Sequence, residues 1–222
     1  MRPITPVQIV IGGCLLAFGA SFLNTGFLLS TGASVSHLTG DIARIGSGLS
    51  NLGSSSGSHI FNVTSAALGF ITGAIISGFL LHHPTVEISK PYGRILSVLG
   101  ICLLISYATY SSAPVLSITI ASAVCGAQNA LASRYRGVVL RTTHLTGLFT
   151  DFGIHLGMKL RGHTVEGWKL LIPICLTCSF LVGAVISSAV ALNALGNWLL
   201  LAGIGYLLGG MAWSFYKRTR SE

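Results

Sequence analysis

Two short stretches hold most of the side chains in this sequence that could do chemistry, and they are copies of one pattern. Ser36-His37-Leu38-Thr39-Gly40 is followed by Asp41 and Arg44, and Thr143-His144-Leu145-Thr146-Gly147 by Asp151 and His155. A shift of 107 residues lays His37 to Gly40 on His144 to Gly147 without a gap and puts Arg44 on Asp151. Histidine titrates near neutrality, and one helical turn separates Asp151 from His155, the spacing of a proton-transfer pair or of a structural hydrogen bond. Thr39 and Thr146 are expected to cap helices, with Gly40 and Gly147 baring backbone N–H groups to a ligand. A helix start of that kind favours an anion. The pattern therefore offers two related sites for a small polar or anionic solute. The plainer alternative is a pair of amphipathic surface helices with solvated polar faces.

Other chemistry is thinner. Asn24, Gln128 and Asn129 are polar groups inside apolar runs, where they need partners within the fold or line a pathway. Cys14, Cys102, Cys125, Cys175 and Cys178 all sit in apolar surroundings, so no disulfide framework is expected. The Cys175–Cys178 pair has no second Cys or His pair at metal-site spacing. No cofactor is expected, since the chain carries no phosphate loop, dinucleotide fingerprint or nucleophile elbow. Ser36 or Thr143 with His and Asp partners would suit a membrane-embedded enzyme only if the groups converge.

The elements that must position these residues are membrane helices. The 222 residues are 51% hydrophobic and 8% charged, where a soluble domain carries about 25% charged residues. The net charge of +8 is scattered through short connections, which argues against a nucleic-acid partner and for a topological role. At roughly 20 apolar residues per span, the uncharged runs give six. They are 6–32, 60–81, two within 95–133 broken near Pro114, and two within 170–216 broken between Asn193 and Asn197. Arg2 ahead of the first run gives it the look of a signal peptide, but the run has a matching partner later and is expected to stay in the mature chain. With both termini cytoplasmic, twelve of the 13 Lys and Arg fall on the inner side and only Arg44 lies outside.

The duplication extends beyond the two elements. Gly19-Ala20 falls on Gly126-Ala127, Gly46 falls on Gly153, and the stretch from Phe70 to Ser77 matches Phe180 to Ser187 three residues out of register. A single membrane domain over 1–222 is expected, all-α, with one repeat at 7–112 and a second at 114–216. Three spans per repeat make the copies inverted, an arrangement that in transporters puts the ligand site at the repeat interface. The stretch after His144 cannot cross the bilayer, because Arg141 before it and Lys159 and Arg161 after it belong on one side. It is re-entrant or interfacial. There Leu145, Phe149, Phe152, Leu156 and Leu160 form an apolar stripe, opposed by His144, Asp151 and His155. Arg44 and Asp151 either pair across the pseudo-axis or stay apart, and the cost of carrying Arg141 inward favours separation.

Through Ser36-His37-Leu38-Thr39-Gly40, Gly126-Ala127-Gln128-Asn129-Ala130, and Thr142-Thr143-His144-Leu145-Thr146-Gly147 leading to Asp151, the chain resembles the YoaK family of bacterial multi-pass membrane proteins, a domain of unknown function. The resemblance covers nearly the whole chain. It implies a six-span fold in the bacterial inner membrane and assigns no activity. Members show an acidic residue near the position of Asn24 and an Asn where this chain has Asp41. Architecture and motifs together point to a small-solute transporter or channel. A membrane enzyme and a non-catalytic assembly factor stand as alternatives, and the small face from Gly205 to Gly209 leaves a homodimer open. Reporter fusions at Glu222 should be active only in the cytoplasm; activity in the periplasm would overturn the orientation and the inverted repeat with it.

Overall fold

The computed structural model describes residues 6–50, 56–81, 91–131, 142–193 and 197–221. Arg2, the connection with Glu87 and Lys90, and Arg134, Arg136 and Arg141 lie outside these. Eight helices follow in order: α1 Pro6–Thr31, α2 Leu38–Ser50, α3 Ser56–Leu81, α4 Tyr92–Thr109, α5 Pro114–Leu131, α6 Leu145–Leu160, α7 Gly167–Leu192 and α8 Trp198–Ser221. Six of them, all but α2 and α6, are long and apolar enough to cross a membrane. The protein is an all-α, multi-pass membrane protein.

Local chemistry ends the helices where the chain must turn. Gly32 adopts φ 70° after α1 and donates its N–H to the Leu28 carbonyl. After α6, Gly162 adopts φ 89°, its N–H reaches the Lys159 carbonyl, and the His163 N–H reaches that of Met158. These two bonds make a Schellman stop that only glycine enters without strain. Pro114 opens α5 at the first helical position, where a missing N–H costs nothing. The α4–α5 hairpin is tied by Ser106 and Ser117, whose hydroxyls each donate to the other's carbonyl at 2.9 and 2.8 Å.

Lipid tails are as apolar as Leu, so the helices associate by close packing and interhelical hydrogen bonds. Three pairings dominate: α3 with α5, α1 with α7, and α4 with α8. Along α3 and α5, a Cβ at Gly73 would overlap the Ala123 carbonyl and one at Gly126 would overlap that of Phe70. Along α1 and α7, Ser179 and Ser187 donate to the carbonyls of Cys14 and Phe22, each at 2.7 Å, so these helices run parallel. Helices α4 and α8 run antiparallel, with Gly93 opposite Gly210 and Gly100 opposite Gly203. Phe27, Tyr110 and Trp198 meet edge to face and join α1 to α8 beside the α4–α5 turn.

The close contacts of α8 fall on other glycines than its small-residue face suggests. Gly203 and Gly210 carry the approach to α4, whereas a Cβ at Gly205 would meet nothing within 4 Å and one at Gly209 only Leu96 at 3.8 Å. Gly205 and Gly209 instead line an apolar cavity beside α1. Valine at Gly73 or Gly126 should lower stability by about 1–3 kcal/mol, the cost of overpacking. Valine at Gly78, where a Cβ meets nothing, should leave it unchanged. Thermal unfolding in detergent reads the difference.

Candidate functional site

Two non-helical stretches, 32–37 and 142–144, are both held by side chains of α5. The hydroxyl of Ser122, at the middle of α5, lies 2.8 Å from the Val35 carbonyl and 2.7 Å from the Ala66 carbonyl of α3, and shares its one proton between them. Gln128 donates to Thr142 Oγ1 at 3.1 Å and to the Leu16 carbonyl of α1 at 2.7 Å, and its Oε1 accepts the Tyr206 hydroxyl of α8. Ser122 and Gln128 stand six residues apart, roughly 9 Å at 1.5 Å per residue. Val35 and Thr142 are equivalent under the 107-residue shift. The two segments thus approach each other along one helix, deep among the spans.

The first segment is closed by its own side chains. Asn24 Oδ1 accepts from the N–H groups of Val35 and Ser36 at 3.2 and 3.1 Å and from the hydroxyls of Ser34 and Ser36 at 2.6 and 3.1 Å. Asp41 Oδ2 takes the Ser34 N–H at 3.1 Å, and the Ser34 hydroxyl accepts the His37 N–H at 2.8 Å. Asn24 and Asp41 are therefore partners through Ser34, and both are buried. Arg44 pairs with Asp41 at 3.7 Å and makes no ion pair with Asp151 among the described residues.

Helices α2 and α6 begin at Leu38 and Leu145, one residue ahead of the expected caps. Thr39 and Thr146 are exposed first-turn residues with Gly40 beside the former and Gly147 beside the latter. The N-cap of α6 is His144, which makes no side-chain cap bond. The expected apolar stripe of α6 is turned out only in part, with Leu145, Phe152 and Leu156 half-buried and Phe149 and Leu160 exposed, while His144 of the opposing face is itself exposed. Leu148 is its buried residue, Asp151, Phe152 and His155 are half-buried, and Phe149, Ile154, Met158 and Leu160 are exposed. In α2, Asp41 is buried and Ile42 exposed. A water-facing helix would do the reverse; against lipid the apolar residues belong outside. His155 Nδ1 bonds the Asp151 backbone carbonyl at 2.6 Å, a structural contact in place of a carboxylate relay.

The two histidines that open α2 and α6 lie within electrostatic reach of each other. His37 stacks edge to face on Phe180 of α7 at 5.2 Å, and its Nε2 is buried without a hydrogen-bond partner among the described residues. Burial, and then the charge of His144, hold its pKa below the ordinary value, against the opposing pull of Asp41. Asn129 Oδ1 is also buried, with no hydrogen-bond partner among the described residues. Ser34, Ser122, Thr142 and Tyr206 are the residues that sequence reasoning passed over. Only Thr142 carried a signal, its equivalence with Val35; the others are unremarkable letters in apolar runs. No cluster of His, Cys, Asp and Glu among the described residues could hold a metal ion.

Leucine at Asn24 should destabilise by about 2–3 kcal/mol or more, since it strands several buried donors at once. With its pKa lowered, His37 binds a proton less readily in the folded than in the unfolded chain. Stability present above the ordinary value of 6.5 should be lost as pH falls through the lowered folded value. Melting curves between neutral and acidic pH check this, and His37→Gln should flatten the difference.

Comparison with known proteins adds a family and no activity. Residues 12–213 match the family described as protein of unknown function, DUF1275. No curated protein and no solved structure matches the chain. With multiple spans, and with a family match that runs from α1 to α8, the chain belongs to the DUF1275, or YoaK, family of membrane proteins.

Proposed function

We propose that the protein is a small-solute transporter or channel built from two inverted halves, α1–α4 and α5–α8, with its site where the two broken segments meet. The carrying observation is that convergence: Val35 and Thr142 on α5, with His37 and His144 in mutual reach. Discontinuous helices whose starts point into the bundle are how many transporters build a site at a repeat interface. Helix pairing supports the inverted halves. Exchanging the halves turns the α3–α5 packing into α7–α1 and returns α4–α8 to itself. A shift of 110 residues, the one that relates Phe70 to Phe180, carries Gly93 and Gly100 onto Gly203 and Gly210, which face them.

The solute on this reading is small and polar or anionic, and it meets the second element first. In the first, Asn24 and Asp41 already occupy the backbone donors. In the second, α6 has neither a side-chain cap nor an acidic residue in its first turn, so among the described residues no side chain caps its first N–H groups, which with His144 would meet a ligand. Parallel α1 and α7, parallel α3 and α5, and antiparallel α4 and α8 fit alternating spans with both termini on one side, which the basic residues make cytoplasmic in a bacterial inner membrane. Uptake of labelled polar and anionic solutes into proteoliposomes tests the proposal. Alanine at His144 should reduce flux about tenfold, what a loss of about 1.4 kcal/mol gives, while alanine at His163 leaves it near the unaltered level. Equal loss at matched expression would remove the repeated element's claim, and absence of flux for every solute would favour an assembly role.

A further inference from the structure

The apolar cavity lies beside the site above and shares with it the ring of Tyr206. Its volume is about 540 Å³, and it opens between α1 and α8, with α4 and α7 completing the wall. Gly12, Gly19, Gly205 and Gly209 make the room, while exposed Leu15 and Leu201 form a rim that faces lipid. Along α1 it runs from Gln8 to Phe22, roughly 21 Å at 1.5 Å per residue. One leaflet's hydrocarbon is about 15 Å deep. The space therefore reaches from the interface on the side of the chain ends past the bilayer middle. That length, with almost wholly apolar walls, suits an extended hydrocarbon chain and suits a compact polar solute poorly.

The two ends differ. Tyr92 and Trp213 stand at the end nearer the chain termini, where amphipathic rings sit at headgroup level. Arg94 follows Tyr92 by two residues, and Lys217 and Arg218 follow Trp213 by about one turn. Cations so placed attract an anionic headgroup at the surface. We propose that this cavity binds one acyl chain of an anionic phospholipid from the leaflet on the side of the chain termini, with the headgroup held near Arg94 and Lys217. At the deep end Tyr206 forms the wall and bonds Gln128, which holds Thr142. The lipid chain therefore lies against a residue that braces the second broken segment.

The test uses the full chain reconstituted in vesicles of equal phosphatidylglycerol and phosphatidylcholine, then released into mild detergent for native mass spectrometry. One retained phosphatidylglycerol per chain is expected. Leucine at Gly12 or Gly205, where a Cβ meets nothing within 4 Å, should fill the space and cut retention about tenfold, equivalent to about 1.4 kcal/mol. Leucine at Gly78, equally open but on α3 away from the cavity, should retain the lipid. Undiminished retention in both cavity variants, equal retention of phosphatidylcholine, or a dimer mass that the cavity variants abolish would each overturn the proposal. Should a variant fail to fold, tryptophan quenching in the unaltered protein decides. Phosphatidylglycerol with brominated chains should quench more than its phosphatidylcholine counterpart, and equal quenching refutes the site. No flux enters these readouts, so they stand or fall apart from the transport reading.

Discussion

Hydrocarbon offers no hydrogen-bond partners, so a chain that leaves the helix inside a membrane must find one within the protein for each N–H and C=O it frees. Most of the polar architecture here answers that demand. Asn24 gathers two backbone N–H groups and two hydroxyls from the segment after α1, Asp41 takes a third N–H, and Ser122 caps the Val35 carbonyl. Gln128 meets the second segment at a side chain, donating to the Thr142 hydroxyl oxygen and to the Leu16 carbonyl of α1. Both Ser122 and Gln128 belong to α5, which buries the largest share of its residues among the six spans. A central helix is the one place from which side chains reach both segments.

The same solvent bears on α2 and α6, which depart in part from the ordinary amphipathic sense. A surface helix turns its leucines to the protein and its charges to water. These two keep Asp41, Asp151 and His155 inward or half-covered and turn Ile42, Phe149 and Leu160 out. Close helix approach follows from the same cause. Glycines at Gly73, Gly126, Gly93 and Gly210 let backbones touch where no hydrophobic force would press larger side chains together.

Polar network and apolar cavity are joined at one residue. Tyr206 presents its ring to the cavity and its hydroxyl to Gln128, and Gly19 leaves the space its ring needs: a Cβ there would come within 2.7 Å of the hydroxyl. Movement of α8 against α1 would pull on Gln128 and, through it, on Thr142 and the start of α6.

The sequence alone determined the membrane class, the six spans and the duplicated element, because each rests on local quantities: run length, charge spacing and repetition. It also marked Asn24, Gln128, His37 and His144 as the polar groups needing an account, since isolated polarity in apolar sequence is visible residue by residue. Which groups satisfy one another was decided only by tertiary structure. Asn24 reaches Ser34 and Ser36 because Gly32 folds the chain back along α1, and Ser122 reaches Val35 from 87 residues away. The facing of α6 was not legible for a physical reason: periodicity gives a helix its two faces, but which of them is inside depends on whether water or lipid lies beyond it. That choice was made by the packing of α6 on α7, which no window of sequence contains.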